Sequence, residues 1–277
     1  MTQPKELDPY TSPRAFYGAE LRRLREKAGL SQEQLGERVF CSGTYVGQFE
    51  SAVRRPQTDV SKQFDEVLGS GEHVQRLCRL ARQSKHPDYF ADAAELEKQA
   101  ITISEYAPML VPGLLQTEAY ARALTRAAQT FAPDDEIEGH VRARMERARL
   151  LDHPTAPELW VVIHEAALRV PVGGPAVMTE QLERLVGMGR GHHRIVVQVM
   201  PFAAGAPAFL NGTVINMTFA DSPAVTYTES AYAGQLIDEP ALVRQYSKAY
   251  DLVRAAALSP EASLARIESV AEDYAKP

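Results

Sequence analysis

Few residues of the types that perform catalysis stand at the spacing that catalysis requires. The run His164–Leu168 begins like the HExxH motif of zinc proteases, but leucine takes the place of the second histidine and the run follows a predicted strand. Gly187–Gly191 follows a predicted helix and lacks the last glycine of a nucleotide-binding loop, which favours an ordinary loop. His192 and His193 have no cysteine or carboxylate at a zinc-like spacing. We therefore expect no catalytic site, no metal and no cofactor.

Polar residues suited to nucleic acid recognition lie between residues 30 and 56. Ser31 and Ser42 are good helix N-caps, because a serine hydroxyl can accept a hydrogen bond from a free backbone N–H. The apolar spacing that follows predicts two short helices, at about Gln32–Val39 and Gly43–Glu50, joined by a tight turn. Such a pair is a helix-turn-helix, whose second helix lies in the major groove of DNA.

The stretch Leu30–Pro56, LSQEQLGERVFCSGTYVGQFESAVRRP, resembles the XRE-type helix-turn-helix of phage repressors and bacterial regulators. The resemblance rests on the Ser-Gln opening, the glutamate that closes the second helix of the pair, and the Arg-Arg-Pro that follows. The turn departs from the family, because it reads Phe40-Cys41 where a small residue or glycine is usual. Phenylalanine does not easily adopt a left-handed backbone. We therefore expect either a distorted turn or a Phe40 packed against a neighbour.

Helix geometry and the resemblance together predict the residues that contact DNA. The glutamine that opens the first helix of the pair should bond a phosphate, and the two arginines after the second helix should clamp phosphate. Residues of the second helix would read base edges, since glutamine can pair with adenine and a threonine methyl can pack on thymine. For Tyr45 the alternative is a packed surface aromatic. The expected set is Gln32, Ser42, Gly43, Thr44, Tyr45, Gln48, Arg54 and Arg55.

The resemblance also implies a buried ion pair. In the family, the arginine at the position of Arg25 pairs with the glutamate at the position of Glu50. Removing one partner would strand a buried charge at a cost of roughly 3–5 kcal/mol. Further helices at about Arg14–Ala28, Asp59–Leu68 and Glu72–Ser84 would complete a five-helix DNA-binding domain. The predicted organisation is a flexible arm at 1–13, the DNA-binding domain at 14–84, a linker at 85–90 and a second domain at 91–277.

The distribution of charge agrees with this division. The whole chain has a formal net charge of −6, yet residues 14–85 carry 13 Lys/Arg against 9 Asp/Glu. Residues 86–277 carry 16 Lys/Arg against 25 Asp/Glu. Phosphate contacts require the positive charge to lie with the helix-turn-helix, and an acidic remainder disfavours broad contact with DNA.

The second domain combines helices and strands. Short β-branched runs predict strands at Glu158–His164, Arg194–Met200, Thr213–Phe219 and Ala224–Glu229, with helices before, between and after them. This predicts an α+β domain with a small mixed or antiparallel sheet. A predicted helix that begins after Pro133 carries four arginines, which we expect on a solvated face: Arg142, Arg144, Arg147 and Arg149.

This second region is similar to the C-terminal domain of WhiJ-like regulators of actinomycetes, which is described as antitoxin-like. The similarity rests on VPGLLQTEAYARAL, LLDHP, LWVVIHEAALRVPVGG, MTEQLERL, VVQVMPF and VTYTES, in that order. It implies as a partner a small protein encoded by a neighbouring gene. The residues expected to contact a partner or ligand are Pro112, Gly113, Leu114, Leu115, Gln116 and Tyr120.

Two functions follow as expectations. The first is a sequence-specific transcriptional regulator that binds a DNA operator as a homodimer and senses a protein partner through its C-terminal domain. The alternative is a small-molecule sensor whose pocket is lined by the loop Pro201–Leu210. The uncharged run Ile195–Ala220 contains polar residues, proline and glycine, so we expect strands and no membrane span. With no signal peptide and two cysteines interpreted as small buried hydrophobes, a reducing cytoplasm is expected.

Overall fold

The computed structural model describes residues 7–83, 89–230 and 233–276, and of residues 83 and 89–92 the backbone alone. The expected arm in part (1–6) and most of the expected linker (85–88) lie outside the described residues. The chain divides into two compact units. The first contains the residues up to Leu96 together with the distant segment Phe219–Pro223, and the second contains Glu97–Thr218 and the chain from Ala224 onward. The division falls after Leu96, whereas the sequence predicted a second domain from residue 91.

The first unit is helical. Its helices are α1 (Pro13–Lys27), α2 (Gln32–Arg38), α3 (Gly43–Glu50), α4 (Thr58–Leu68), α5 (His73–Gln83) and α6 (Tyr89–Glu97), the last of which ends at the division between the units. Ser31 caps α2 reciprocally with Gln34, and the Ser42 hydroxyl accepts a hydrogen bond from the Tyr45 N–H at the start of α3. The prediction of an all-α, five-helix helix-turn-helix domain is confirmed by α1 to α5.

The core of the first unit is apolar and comes from α1 to α5 and their connections. Tyr17 and Leu21 of α1 pack with Phe49 of α3 and Phe64 of α4, and the Tyr17 hydroxyl lies 2.9 Å from Ser61 Oγ. The other buried members are Leu30, Leu35, Val39, Tyr45, Val46, Val74, Leu77, Cys78 and Ala81. This core fixes the angle between α2 and α3.

The second unit is built on a six-stranded mixed sheet. Its strands are β1 (Thr102–Ala107), β2 (Glu158–His164), β3 (Ile195–Met200), β4 (Thr213–Thr218), β5 (Val225–Ser230) and β6 (Ala233–Ile237). Their order across the sheet is β3-β2-β1-β4-β5-β6. β1, β2 and β3 are parallel, and β4, β5 and β6 continue the sheet antiparallel from β1. The α+β prediction is confirmed.

Two strands of this sheet were not predicted from the sequence. β1 occupies the sheet centre between β2 and β4, although it carries Ser104 and Glu105. A buried glutamate in a central strand breaks the apolar pattern by which such strands are recognised. β6 is short and pairs only with β5 at the sheet edge.

Helices cover both faces of the sheet. They are α7 (Glu118–Ala128), α8 (Asp134–Ala148), α9 (Glu165–Arg169), α10 (Pro175–Gly191), α11 (Pro240–Ala256) and α12 (Pro260–Ala275). On one face, Tyr250 and Val253 of α11 pack with Tyr106, Val162 and Met200 of the strands. Within the described residues, no helix combines the length and the apolar character needed to cross a bilayer.

The expected loop at Gly187–Gly191 is wrong, because α10 continues through it to Gly191. A Cβ on Gly189 would come within 2.7 Å of Leu264 Cδ2. Glycine at this position therefore allows α10 and α12 to approach closely, and the glycines do not mark a break in the helix.

The arginines of α8 do not all lie on a solvated face. The Arg147 guanidinium donates to both carboxylate oxygens of Glu97, from Nε at 2.6 Å and from Nη2 at 2.9 Å. Arg144 Nη1 donates to Gln116 Oε1 at 2.9 Å. Arg142 and Arg149 are exposed, as expected. Arg144 and Arg147 instead connect α8 to the interior, because the loop before α7 and the end of α6 present polar groups to them.

Glu105 lies buried on β1 near this charged cluster. Burial raises the pKa of its carboxyl group to about 8, and the negative charges of Glu97 and Glu229 act in the same direction. The positive charge of Arg147 opposes the shift without cancelling it. The carboxyl group is therefore protonated through most of the acidic and neutral range.

We expect Glu105→Gln to change how stability depends on pH. Because the folded pKa lies above the ordinary value, the folded state holds the proton more tightly than the unfolded chain. The stabilising effect of that proton is fully present below the ordinary pKa of 4.5 and is lost as pH rises through about 8. Glutamine mimics the protonated acid. The variant should match the wild type in Tm near pH 4 and exceed it at about pH 9.

Thermal unfolding followed by circular dichroism across this pH range checks the prediction. Glu183→Gln is the matched control, since Glu183 lies exposed on α10. Parallel pH profiles for the wild type and Glu105→Gln would contradict the prediction.

Candidate nucleic-acid interface

The helix-turn-helix is held by an ion pair between α1 and α3. Arg25 Nε donates to Glu50 Oε1 at 2.5 Å, and Arg25 Nη2 donates to Glu50 Oε2 at 3.0 Å. Arg25 Nη1 donates to the Leu30 carbonyl at 2.8 Å. Both side chains are buried, and the hydrogen bond to the Glu50 carboxylate raises the pKa of Arg25. The structure thus brings together the two residues that the resemblance pairs.

Gln32 belongs to the same network. Its Nε2 donates to Glu50 Oε2 at 2.8 Å, so one end of the amide expected at a phosphate is used inside the protein. A Cβ on Gly47 would lie 3.0 Å from Gln32 Oε1, and one on Gly43 would lie 2.7 Å from Glu33 Oε1. The two glycines of α3 therefore leave room for side chains of α2. Helix packing accounts for them without base contact.

The residues of α3 expected at base edges differ in exposure. Thr44 is exposed, whereas Gly43, Tyr45 and Gln48 are buried. Tyr45 is part of the core, with its ring centroid 4.6 Å from that of Phe49. In this arrangement Thr44 is the residue of that group whose side chain is open to a ligand.

The two arginines after α3 are also engaged. Arg55 Nη2 donates to the Arg82 carbonyl at 2.6 Å. Arg54 is 0% exposed, and its guanidinium lies 4.8 Å from the centroid of the Tyr45 ring. Each guanidinium thus makes a contact within the first unit, and the prediction that the two arginines contact phosphate stays a prediction.

The segment Phe219–Pro223 is the part of the first unit that the sequence did not predict. Arg54 Nη2 donates to the Pro223 carbonyl at 2.7 Å, and the Arg54 guanidinium lies 5.5 Å from the Phe219 ring centroid. Ser42 Oγ donates to the Asp221 carbonyl at 2.6 Å. The segment contributes backbone carbonyls, which leave no signature in side-chain types.

Phe40, in the turn between α2 and α3, adopts the left-handed backbone that the sequence disfavoured. Its φ is 56°, and its side chain is 91% exposed. The expectation that Phe40 packs against a neighbour is wrong, because its side chain lies in solvent. The helix caps and the apolar core on both sides position α2 and α3 and hold the turn in this conformation.

Residues of the PGLLQT run, expected at a partner or ligand, face the interior of the second unit. Gln116 Nε2 donates to the Val111 carbonyl at 2.7 Å, and the Tyr120 hydroxyl accepts from the Val111 N–H at 3.3 Å. Gln181 accepts from the Thr117 N–H at 2.8 Å and donates to the Leu115 carbonyl at 2.9 Å. Pro112, Leu114, Leu115, Gln116 and Tyr120 are buried, and Gly113 lies against Arg147. The run forms a buried turn, so a partner would have to contact exposed residues of the second unit next to this turn.

Comparison with protein families assigns both parts of the chain. Residues 17–81 match the family described as a helix-turn-helix domain, which confirms the helix-turn-helix prediction. Residues 90–269, more than half of the chain, match the family described as Domain of unknown function (DUF5753). The chain belongs to this family. Comparisons with curated proteins and with solved structures find no match. The helix-turn-helix makes this DUF5753 chain a DNA-binding transcriptional regulator.

His164 and Glu165, which lie at the end of β2 and the start of α9, are the remaining candidates for an acid–base pair. His164 Nδ1 accepts from the Ala166 N–H at 3.2 Å, and burial lowers the pKa of the imidazole. Glu165 is buried, yet hydrogen bonds from the Phe202 N–H, Arg169 and Arg266 hold its pKa below the ordinary value. The pair is satisfied within the fold. Among the described residues, no group of three or more His, Cys, Asp or Glu is placed to hold a metal.

We expect Phe40→Gly to stabilise the protein. A left-handed backbone costs a non-glycine residue about 1–2 kcal/mol, and part of the relief is lost to the greater freedom of glycine in the unfolded chain. The net gain in the free energy of unfolding should be about 0.5–1 kcal/mol. Urea unfolding followed by fluorescence or circular dichroism measures it.

Phe131→Gly is the matched control. Phe131 is 99% exposed and is not among the described residues with positive φ. A change of equal size and sign in both variants would show that the exposed ring, and not the backbone, is responsible.

Proposed function

We propose that this regulator binds a specific operator as a homodimer and that its DUF5753 region senses a small protein partner. The observation that carries the DNA-binding part is the α2–turn–α3 arrangement, fixed by the buried Arg25–Glu50 pair, within residues that match a helix-turn-helix domain. A dimer would place two α3 helices in successive major grooves, on half-sites about one helical turn apart.

Charge supports the same proposal. The positive excess of residues 14–85 lies in the helical unit, and several of its basic side chains are exposed, among them Arg23, Lys27, Arg38 and Arg76. Phosphate neutralisation by such side chains supplies sequence-independent affinity, and an exposed Thr44 on α3 can add base recognition.

The protein-partner proposal rests on exposed apolar side chains beside the PGLLQT run. Met109 is 50% exposed and Leu110 is 41% exposed, immediately before the buried Val111. Two adjacent large apolar residues on a rigid, internally bonded turn are a suitable contact for another protein. A small protein encoded by a neighbouring gene, as the resemblance implies, is the partner we propose.

The small-molecule alternative has less support. The loop Pro201–Leu210 was expected to line a closed pocket, but most of its residues are exposed, including Phe202 and Leu210. A loop open to solvent does not bury a ligand in the way that a small-molecule site requires. We therefore prefer the protein partner.

We expect the protein to bind a duplex from the region upstream of its own gene, with an affinity that falls steeply as salt rises. Thr44→Ala should reduce the preference for this duplex over a random one by about 1 kcal/mol, the lower end of the range for a base contact. For this variant, the slope of log affinity against log salt concentration should not change, because no phosphate contact is lost. Fluorescence anisotropy titrations at several salt concentrations provide both quantities.

Thr130→Ala is the control, since Thr130 is an exposed threonine outside the helical unit. If Thr44→Ala retains the full preference for the upstream duplex, α3 does not read bases through Thr44.

The partner should shift DNA affinity, and Leu110→Asp should abolish that shift. An allosteric coupling of about 1–3 kcal/mol corresponds to roughly a 5- to 150-fold change in affinity. Gel-shift titrations with and without the small protein encoded beside the gene measure it. Leu252→Asp is the control, because Leu252 is exposed on α11 and lies away from the run in sequence. Loss of the partner's effect in both variants would reject Leu110 as a contact.

A further inference from the structure

The segment Phe219–Pro223 occupies positions around α3 that the proposed function assigns to DNA. Its Asp221 carbonyl accepts the hydroxyl hydrogen of Ser42, the N-cap residue of α3, at 2.6 Å. Its Pro223 carbonyl accepts from Arg54 Nη2 at 2.7 Å. Ser42 and Arg54 are two of the residues expected to contact DNA.

The chemistry of the segment resembles that of the ligand it would displace. A helix N-terminus and a guanidinium both favour oxygen acceptors and negative charge, which is why phosphates bind to such groups. The segment offers two carbonyl oxygens and the exposed carboxylate of Asp221. The two carbonyl oxygens occupy the donors of Ser42 and Arg54 that a phosphate backbone would use under the proposed function.

The rings on both sides of Arg54 restrict it further. The guanidinium lies 4.8 Å from the Tyr45 ring centroid and 5.5 Å from that of Phe219. Cation–π contacts of this kind hold a guanidinium more strongly when it is desolvated, as Arg54 is at 0% exposure. While Phe219 remains in place, Arg54 cannot reach a phosphate.

Phe219 is buried, but the segment lies outside the main apolar cluster of the helical unit. The buried apolar cluster of this unit is formed by residues of α1 to α5 and their connections, and Phe219 is not a member of it. Withdrawal of the segment would remove the Asp221 and Pro223 carbonyls from Ser42 and Arg54, while the members of the apolar cluster would keep their contacts with one another. A segment that bonds polar groups but lies outside the apolar cluster is suited to covering those groups reversibly.

We propose that Phe219–Pro223 is an autoinhibitory segment that competes with the DNA backbone for Ser42 and Arg54. This inference rests on the proposed DNA-binding function and adds its regulation. The segment joins β4 to β5, in a hairpin where Met217 pairs with Val225. A signal that alters this hairpin would alter the availability of the DNA-binding groups, which gives the sheet of the second unit a route to control α3.

The test compares the full-length wild type with two variants that release the segment. Phe219→Ala removes one ring of the Arg54 contact. The double variant Asp221→Gly/Pro223→Gly keeps the backbone carbonyls of both positions. Because glycine gives the free segment more conformations, placing these carbonyls against Ser42 and Arg54 costs more conformational entropy. The probes are a labelled upstream duplex and a random duplex of about 30 base pairs, titrated by anisotropy from about 50 to 200 mM salt. Phe131→Ala is the control, because Phe131 is exposed and distant in sequence from the segment.

Both release variants should bind both duplexes more tightly, by roughly 3- to 10-fold, as expected for the loss of one cation–π contact or its equivalent. Their salt slopes should steepen by about one, because Arg54 becomes able to neutralise a phosphate. Adding Arg54→Ala should cost more affinity in the Phe219→Ala background than in the wild type. In the wild type, Arg54→Ala removes both a DNA contact, which lowers affinity, and the contact with the segment, which raises affinity, so the two effects partly cancel.

Each outcome decides the proposal. Tighter binding by the release variants at an unchanged Tm supports it. If both variants bind DNA as the wild type does, or more weakly, autoinhibition is overturned while the DNA-binding function stands. If Phe219→Ala fails to fold, the glycine double variant decides by the same criteria. If neither the wild type nor a folded release variant binds either duplex at low salt, the proposed function falls and takes this inference with it.

Discussion

The Glu50 carboxylate is the group on which the helical unit depends most. It accepts two hydrogen bonds from Arg25 of α1 and one from Gln32 of α2, while its own backbone closes α3. One buried carboxylate thus fixes three helices relative to one another. Arg25 also holds the Leu30 carbonyl, just before the N-cap of α2. The orientation of α3 is therefore determined by charge-assisted bonds at one end and by apolar packing along its length.

In the second unit, too, a few buried polar side chains connect several elements. Glu97 and Arg147 form a bidentate pair, and Arg144 extends the network through Gln116 to the turn before α7. Gln181 of α10 then bonds both a backbone N–H and a carbonyl of that turn. Since buried polar groups are costly unless each finds a partner, this network makes the turn rigid. The exposed Met109 and Leu110 therefore directly precede a rigid, hydrogen-bonded turn.

Local signals in the sequence predicted much of this arrangement. The bounds of α3 and β2 were predicted to the residue, because Ser42 caps one and a β-branched run defines the other. β1 was missed because the buried Glu105 interrupts its apolar pattern, and burial raises the pKa of that carboxyl group, which favours the uncharged form in a central strand. Helix identities were predictable because caps and periodicity act over a few residues.

The candidate site was predictable only in part, for a different reason. The residues of α2 and α3 that resemble DNA contacts could be identified, but their exposure depends on atoms far away in the chain. Burial of Arg54 involves the backbone of Pro223, and a carbonyl oxygen is present at every position of every sequence. Neither residue types nor spacing could indicate which carbonyl would be used.

The sequence distance between Arg54 and Pro223 has a consequence for synthesis of the chain. The two residues are 169 positions apart, so a ribosome completes the five helices long before it reaches the segment that contacts them. At about 5–20 residues per second, the five helices spend roughly 7 to 27 seconds without residues 219–223. During that interval Ser42 and Arg54 lack the Asp221 and Pro223 carbonyls that they bond in the finished chain. Newly made chains and finished chains therefore differ in the partners available to these two side chains.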